Sequence, residues 1–250
     1  MEPVWDWFYW LYQETGIKLT IFYDAFDRER MRRGFLTTIE LSAICIALSL
    51  VVGVVGAWLQ GSRLVWLRRA VQGYIQLFRN TPPLVQLYFF YFGLGSLMPL
   101  VENEYGYREP LLSNFAWAIV SLSFFAGAFN VEIFRAGIEA VPRATIEAAE
   151  SLGYSRLRAY VYIVLPLAFR ISLPALNNNL VNLVKTTTLA YAIAVPEMLY
   201  VANQIWSDEV NVPEMMTFLL VAYVALVGAL VWAMNRWERA MRIPGYGVAS

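Results

Sequence analysis

With 250 residues, 59% of them hydrophobic and 16% aromatic, and a mean hydropathy of +0.50, the chain lies outside the soluble range and reads as an integral membrane protein. Lys plus Arg and Asp plus Glu both number 19, so net charge gives no pull toward nucleic acid and only the placement of charge is informative. With no histidine, and with a single cysteine, Cys45, inside an apolar run, the usual general base, the commonest metal ligand and any disulfide framework are excluded.

The first residues, MEPVWDWFYW, carry Glu2 and Asp6 without a basic stretch, so no cleavable signal peptide is expected and the first span is expected to direct insertion. Residues 4–23 are aromatic but broken by Asp6, Glu14 and Lys18, which predicts an interfacial amphipathic helix; residues 1–33 are set apart as an N-terminal interfacial segment. Residues 41–59 are uncharged and, extended back to Phe35, supply the ~20 apolar residues of a first span. Gly53 and Gly56 within it suit close helix contact.

Residues 60–79 hold Arg63, Arg68, Arg69 and Arg79 and no acid, around Leu64, Leu67, Val71, Ile75 and Phe78, which predicts a basic amphipathic helix on the cytoplasmic face. Residues 80–101 form a second uncharged run, its helix started at Pro82 and Pro83, where a missing N–H is harmless. A third run covers 110–131. The polar stretch EAAESLGYSRLRAYVYIVLP, residues 147–166, then predicts two short helices turning at Gly153. The fourth span, 161–184, carries Arg170, Pro174 and four asparagines; 186–206 reads as an irregular or partly inserted stretch and a short helix; 215–235 is the last span.

Arginines stay cytoplasmic. The segments 60–79 and 236–242 are basic, whereas 102–109 and 197–214 are acidic, which predicts an all-α integral membrane protein of five transmembrane helices with the N-terminus outside and the C-terminus cytoplasmic. Arg28, Arg30, Arg32 and Arg33 run against this rule, partly offset by Asp24, Asp27 and Glu29.

Glu147, Ala148, Ala149, Gly153, Ile163, Leu165 and Pro166 reproduce E-A-A-x3-G-x9-I-x-L-P, which resembles the coupling-loop signature of permease subunits of ABC importers. FRNTPPLVQLYFFYFGLG and GAFNVEIFRAGI resemble the polar amino-acid branch, the histidine, glutamate, glutamine and arginine permeases. The resemblance implies a type I ABC importer permease domain over 34–242, with a coupling segment at 143–160 and a tail at 243–250, in a bacterial inner membrane. It implies as partners a second permease subunit, identical or homologous, two cytoplasmic ABC ATPase subunits and an extracytoplasmic amino-acid-binding protein, with ATP and Mg on the ATPase. This chain has no P-loop and is expected to bind no cofactor and catalyse no reaction. Glu147, Ala148, Ala149, Gly153, Leu165 and Pro166 are the implied ATPase-coupling residues; the two alanines give a thin helix face that can enter a groove. Arg143, Arg156 and Arg158 are either further contacts or positive-inside anchors.

A substrate path needs polar groups inside spans, costly there unless paired or facing water. Asn178, Asn182 and Lys185, spaced four and three apart, share one helix face, and Pro174 leaves the Arg170 carbonyl without its helical donor. A zwitterion's ammonium could meet an amide oxygen, its carboxylate Lys185. The alternative is asparagines bonding across subunits, with Lys185 reaching the outer surface. Glu132 is a further path candidate, although pairing with Arg135 is the preferred reading. The rival functions are an ion-coupled secondary amino-acid carrier, whose inverted repeats are not found here, an ABC permease for another small polar solute, and a scaffold that recruits an ATPase.

Overall fold

In the computed structural model, which describes residues 3–102, 104 and 106–241, the regular structure is helical apart from one small hairpin. Met1, Glu2, Arg242 and the tail 243–250 lie outside the described residues. Helix α1, Pro3–Thr15, ends at Gly16, whose φ of +75° lies in the left-handed region, and the one-turn α2, Thr20–Tyr23, follows. The single helix expected over 4–23 is therefore broken. Asp24 then accepts from the N–H groups of Phe26 and Asp27 at 2.8 and 2.9 Å and starts α3, Ala25–Gln60.

Helix α3 begins ten residues before the expected span, and three of the four arginines in that extension are paired. Arg32 and Arg33 share Glu29, each at 2.8 Å, and Arg30 reaches Asp208 at 2.9 Å. Helix α4, Val65–Asn80, buries Val71, Ile75 and Phe78 and exposes Arg68 and Arg69, as its amphipathic pattern requires. Helix α5, Pro83–Tyr88, continues through a widened π turn, Phe89–Leu94, and a 3-10 turn to Leu97. The second span stops there, short of the expected 101. Pro99 disfavours helix at Met98, which is extended (ψ 147°), and Leu100–Glu102 (β1) pairs antiparallel with Arg108–Pro110 (β2).

Helix α6, Asn114–Glu139, begins four residues after the expected 110, with Ser113 Oγ accepting the Ala116 N–H, and runs eight residues past the expected end. The short α7, Arg143–Ser151, and α8, Arg156–Ala159, precede a second widened turn, Tyr160–Val164. Helix α9, Leu165–Thr186, passes into a 3-10 turn, Thr187–Ile193; α10, Met198–Glu209, and α11, Val212–Met241, complete the chain. Among the described residues, four helical stretches are long and apolar enough to cross a membrane: Ala25–Gln60, Asn114–Glu139, Arg156–Ile193 and Val212–Met241. Pro83–Leu97 is apolar but shorter.

Contacts divide the chain into two compact units. In the first (Met1–Ile44, Leu87–Ser121, Val184–Gly228), Met31, Met198, Ile205, Met215 and Leu219 form a buried apolar cluster. Helices α3 and α10 approach closely: a Cβ on Gly34 would lie 2.9 Å from Val201, and Thr38 Oγ1 accepts the Met198 N–H at 3.0 Å. Lys18 bridges to Glu209 at 2.6 Å, and this hydrogen bond holds its ammonium above the usual lysine range.

In the second unit (Cys45–Gln86, Leu122–Leu183, Ala229–Ser250), Ala57, Val71, Ile75 and Val131 pack together. The two glycines of α3 serve this contact: a Cβ on Gly53 would collide with Asn130, and one on Gly56 with Val131. A polar chain crosses the same contact. Asn179 donates to Asn130 Oδ1 at 2.8 Å, and Asn130 donates to Ser49 Oγ at 3.2 Å, joining α9, α6 and α3.

Candidate functional site

The polar segment between α6 and α9 is built by its own sequence. Gly153 adopts φ +84°, donates to the Glu150 carbonyl at 3.0 Å, and lets Tyr154 donate back to Ala149 at 3.1 Å; together these close α7 in a Schellman cap. Ser155 then caps α8, its Oγ accepting from the N–H of Arg158. Pro166 has no N–H for the carbonyl of Tyr162, and the widened turn Tyr160–Val164 sits immediately before it. Helix α7 rests on α8 and on that turn, and Arg156 reaches Glu150 at 3.4 Å. A cleft of about 580 Å³ remains among Arg143, Ile146, Glu147, Glu150, Tyr160 and Val164.

Of the residues singled out in the sequence, Glu147, Ala148, Gly153, Leu165 and Pro166 are exposed. Ala149 is buried at 2% exposure, so only one of the two alanines presents the thin face expected of both; the other is small because it packs inside the hairpin. Two residues escaped the sequence reading. Leu152 and Leu157 are 80% and 73% exposed, on a segment otherwise polar, and they flank the turn. Their signal was available as leucines set among charged and turn residues, with no apolar periodicity to bury them.

On α9, Asn178, Asn182 and Lys185 are exposed on one helix face, in line with Pro174 and Arg170, and the helix runs through Pro174 without interruption. The other two asparagines point elsewhere: Asn177 donates to Glu238 at 3.0 Å, and Asn179 to Asn130 and to the Ala126 carbonyl. Glu132 does not pair with Arg135. It meets Arg79 of α4, which also lies 5.3 Å over the Phe129 ring, while Arg135 takes Glu139 one turn on at 2.9 Å. A partner 53 positions away in sequence gives no local signal.

Comparison with known proteins meets this geometry. The family described as "Binding-protein-dependent transport system inner membrane component" matches residues 49–243. The chain is 32% identical to the octopine transport system permease protein OccM of Rhizobium radiobacter, over 82% of this chain and 83% of that protein. It is 31% identical to the probable glutamine ABC transporter permease protein GlnM of Bacillus subtilis (90% and 98%), and 29% identical to the glutamate/aspartate import permease protein GltJ of Escherichia coli K12 (85% and 87%). A chain in the crystal structure of an amino acid ABC transporter with histidines superposes with a TM-score of 0.75 at 25% identity, covering 85% of this chain and 94% of that one. A chain of the inward-facing MetNI methionine ABC transporter shares the fold, with a TM-score of 0.63 at 20% identity over 85% and 96%. With the matched residues covering most of its length and all four long apolar helices represented among them, the chain belongs to the family of binding-protein-dependent transport system inner membrane components, with the type I ABC permease fold.

Proposed function

We propose that this chain is the transmembrane permease subunit of an ABC importer that carries polar amino acids into the cytoplasm by alternating access, driven by two separate cytoplasmic ATPase subunits. The observation that carries this reading is the capped hairpin α7–α8, which offers Glu147, Ala148, Leu152 and Leu157 to a partner and continues in helical form into α9. These two leucines are apolar surface that an ATPase groove would take out of water. Because no loop separates α8 from α9, a displacement imposed at the hairpin is delivered to the helix that carries Asn178, Asn182 and Lys185. These three exposed side chains are the proposed substrate path. Glu132, spoken for by Arg79, lines it only if that pair opens.

The amino-acid substrate class is supported by the names of similar chains, which include permeases for glutamine and for glutamate/aspartate. The assembly that follows contains a second permease subunit, identical or homologous, and an extracytoplasmic amino-acid-binding protein. ATP and Mg belong to the ATPases, and this chain itself hydrolyses nothing. The proposed permease domain is 34–242, with 1–33 lying at the interface. Five crossings, N-terminus outside, would use Pro83–Leu97 with the end of α4 as the second. In the arginine cluster at 28–33, contrary to that orientation, Arg30 pairs with Asp27 and Asp208, and Arg32 and Arg33 share Glu29.

ATPase activity of the complex in lipid discs, with the binding protein present and amino acids screened by class, tests the reading. Stimulation by one polar class is expected. Co-purification of the ATPase without stimulation by any amino acid would refute the substrate class, and uptake that survives ATP depletion would favour an ion-coupled carrier.

A further inference from the structure

Within the second unit, Gln60 at the end of α3, Val65, Arg68, Arg69 and Gln72 on α4, and Arg135 and Glu139 on α6 line an open cleft of about 480 Å³. Arg135 is paired with Glu139, and Gln60 donates to Gln72 at 3.2 Å. The guanidinium groups of Arg68 and Arg69 make no ion pair or side-chain hydrogen bond among the described residues. The cleft therefore holds three guanidinium groups against one carboxylate, two of them uncommitted. It also opens beside apolar surface. Val65, which lines it, stands between Leu64 and Trp66 at the start of α4, and Leu64, Val65 and Trp66 are 53%, 49% and 65% exposed.

A soluble anion would use the arginines but not this apolar edge. The geometry points to a binding site for the headgroup of an anionic phospholipid: its phosphodiester is held by Arg68 and Arg69 in the α3–α4–α6 cleft, and its acyl chains leave past Leu64, Val65 and Trp66. Paired guanidinium forks match phosphate oxygens bidentately. Basic pockets between transmembrane helices at a membrane face take such headgroups, and tryptophans sit at the same depth. Arg135 adds a third donor by sharing Glu139. The site requires only that the chain lie in a membrane; it is independent of which solute is imported.

The test is native mass spectrometry of the full chain in detergent, titrated with phosphatidylglycerol or phosphatidylcholine, with inorganic phosphate as competitor. Phosphatidylglycerol should bind on the order of 10-fold tighter than phosphatidylcholine, and the double variant R68Q/R69Q should lose on the order of 10-fold of that affinity. Arg63→Gln, outside the cleft, should change nothing. Glu139→Gln, which releases Arg135, should tighten binding, and this opposite sign keeps the proposal testable if the double variant does not fold. Equal binding of the two lipids, or unchanged binding in R68Q/R69Q and E139Q, would overturn it. Displacement of the lipid by inorganic phosphate would make the cleft a soluble-anion site and overturn it equally.

Discussion

The N–H of Tyr154 reaches back across Gly153 to the carbonyl of Ala149 at 3.1 Å, and this bond closes α7 and turns the chain toward α8. It fixes Leu152 and Leu157 on either side of the turn, both exposed. Helix ends closed this way satisfy their last carbonyls without any partner, so the hairpin needs no ATPase to hold its shape.

Leu157→Asp should therefore leave folding unchanged and weaken assembly. Removing one well-covered leucine contact and placing a charge there costs roughly 1.5–3 kcal/mol of association, on the order of a 10-fold or greater loss of ATPase retained through affinity purification. Equal retention by the variant and the wild type, at the same thermal midpoint, would remove Leu157 from the docking surface.

Asn130→Ala should act on stability instead. Asn130 is fully buried between Ser49 and Asn179, so truncation strips both of a partner and should cost about 1–3 kcal/mol. Thermal unfolding in detergent checks this, with Asn178→Ala alongside, whose side chain is exposed and whose midpoint should barely move.

Much of this arrangement is visible in the chain itself, and the remainder is long-range. The hairpin is readable because its determinants lie within ten residues: a helix former run, Gly153 where φ must be positive, and Ser155 as the next cap. The start of α3 is not, because Arg30 is tolerated through Asp208, which no local pattern connects to it. The end of the second apolar run at Leu97 was available from Pro99 but outweighed by continuing hydropathy through Val101. Four asparagines in a row of six positions look alike in sequence; only packing decides that Asn177 and Asn179 face Glu238 and Asn130 while Asn178 and Asn182 face outward.

Lys185→Met keeps the length and apolar stem of the side chain and removes its charge, so the thermal midpoint should hold while substrate uptake into proteoliposomes falls on the order of 10-fold, the loss of one charge-assisted hydrogen bond of about 1.5–3 kcal/mol. Uptake at the wild-type rate would place Lys185 outside the substrate path.

Lys18 gives a pH dependence with a defined sign. Its hydrogen bond to Glu209 raises the folded value, so its contribution is fully present below the ordinary lysine value of about 10.4 and is lost as pH rises through the folded one. Lys18→Met should lower the midpoint by about 1–3 °C, as expected for a half-exposed pair. That difference should be constant from neutral pH to the alkaline limit and should close only above it. A difference that persists unchanged well above the folded value would show that the effect does not come from the Lys18 charge.

The coupling role of the hairpin is tested most directly by ATP hydrolysis in lipid discs with the Gly153→Arg variant beside the wild type. Nothing lies within 4 Å of a Cβ at this glycine, so the substitution meets only the left-handed backbone, a strain of about 1–2 kcal/mol, and projects a bulky charge from the turn. The variant should insert and fold, yet hydrolysis should no longer respond to binding protein and substrate. Stimulation equal to the wild type, with the variant correctly inserted, would contradict coupling through this hairpin.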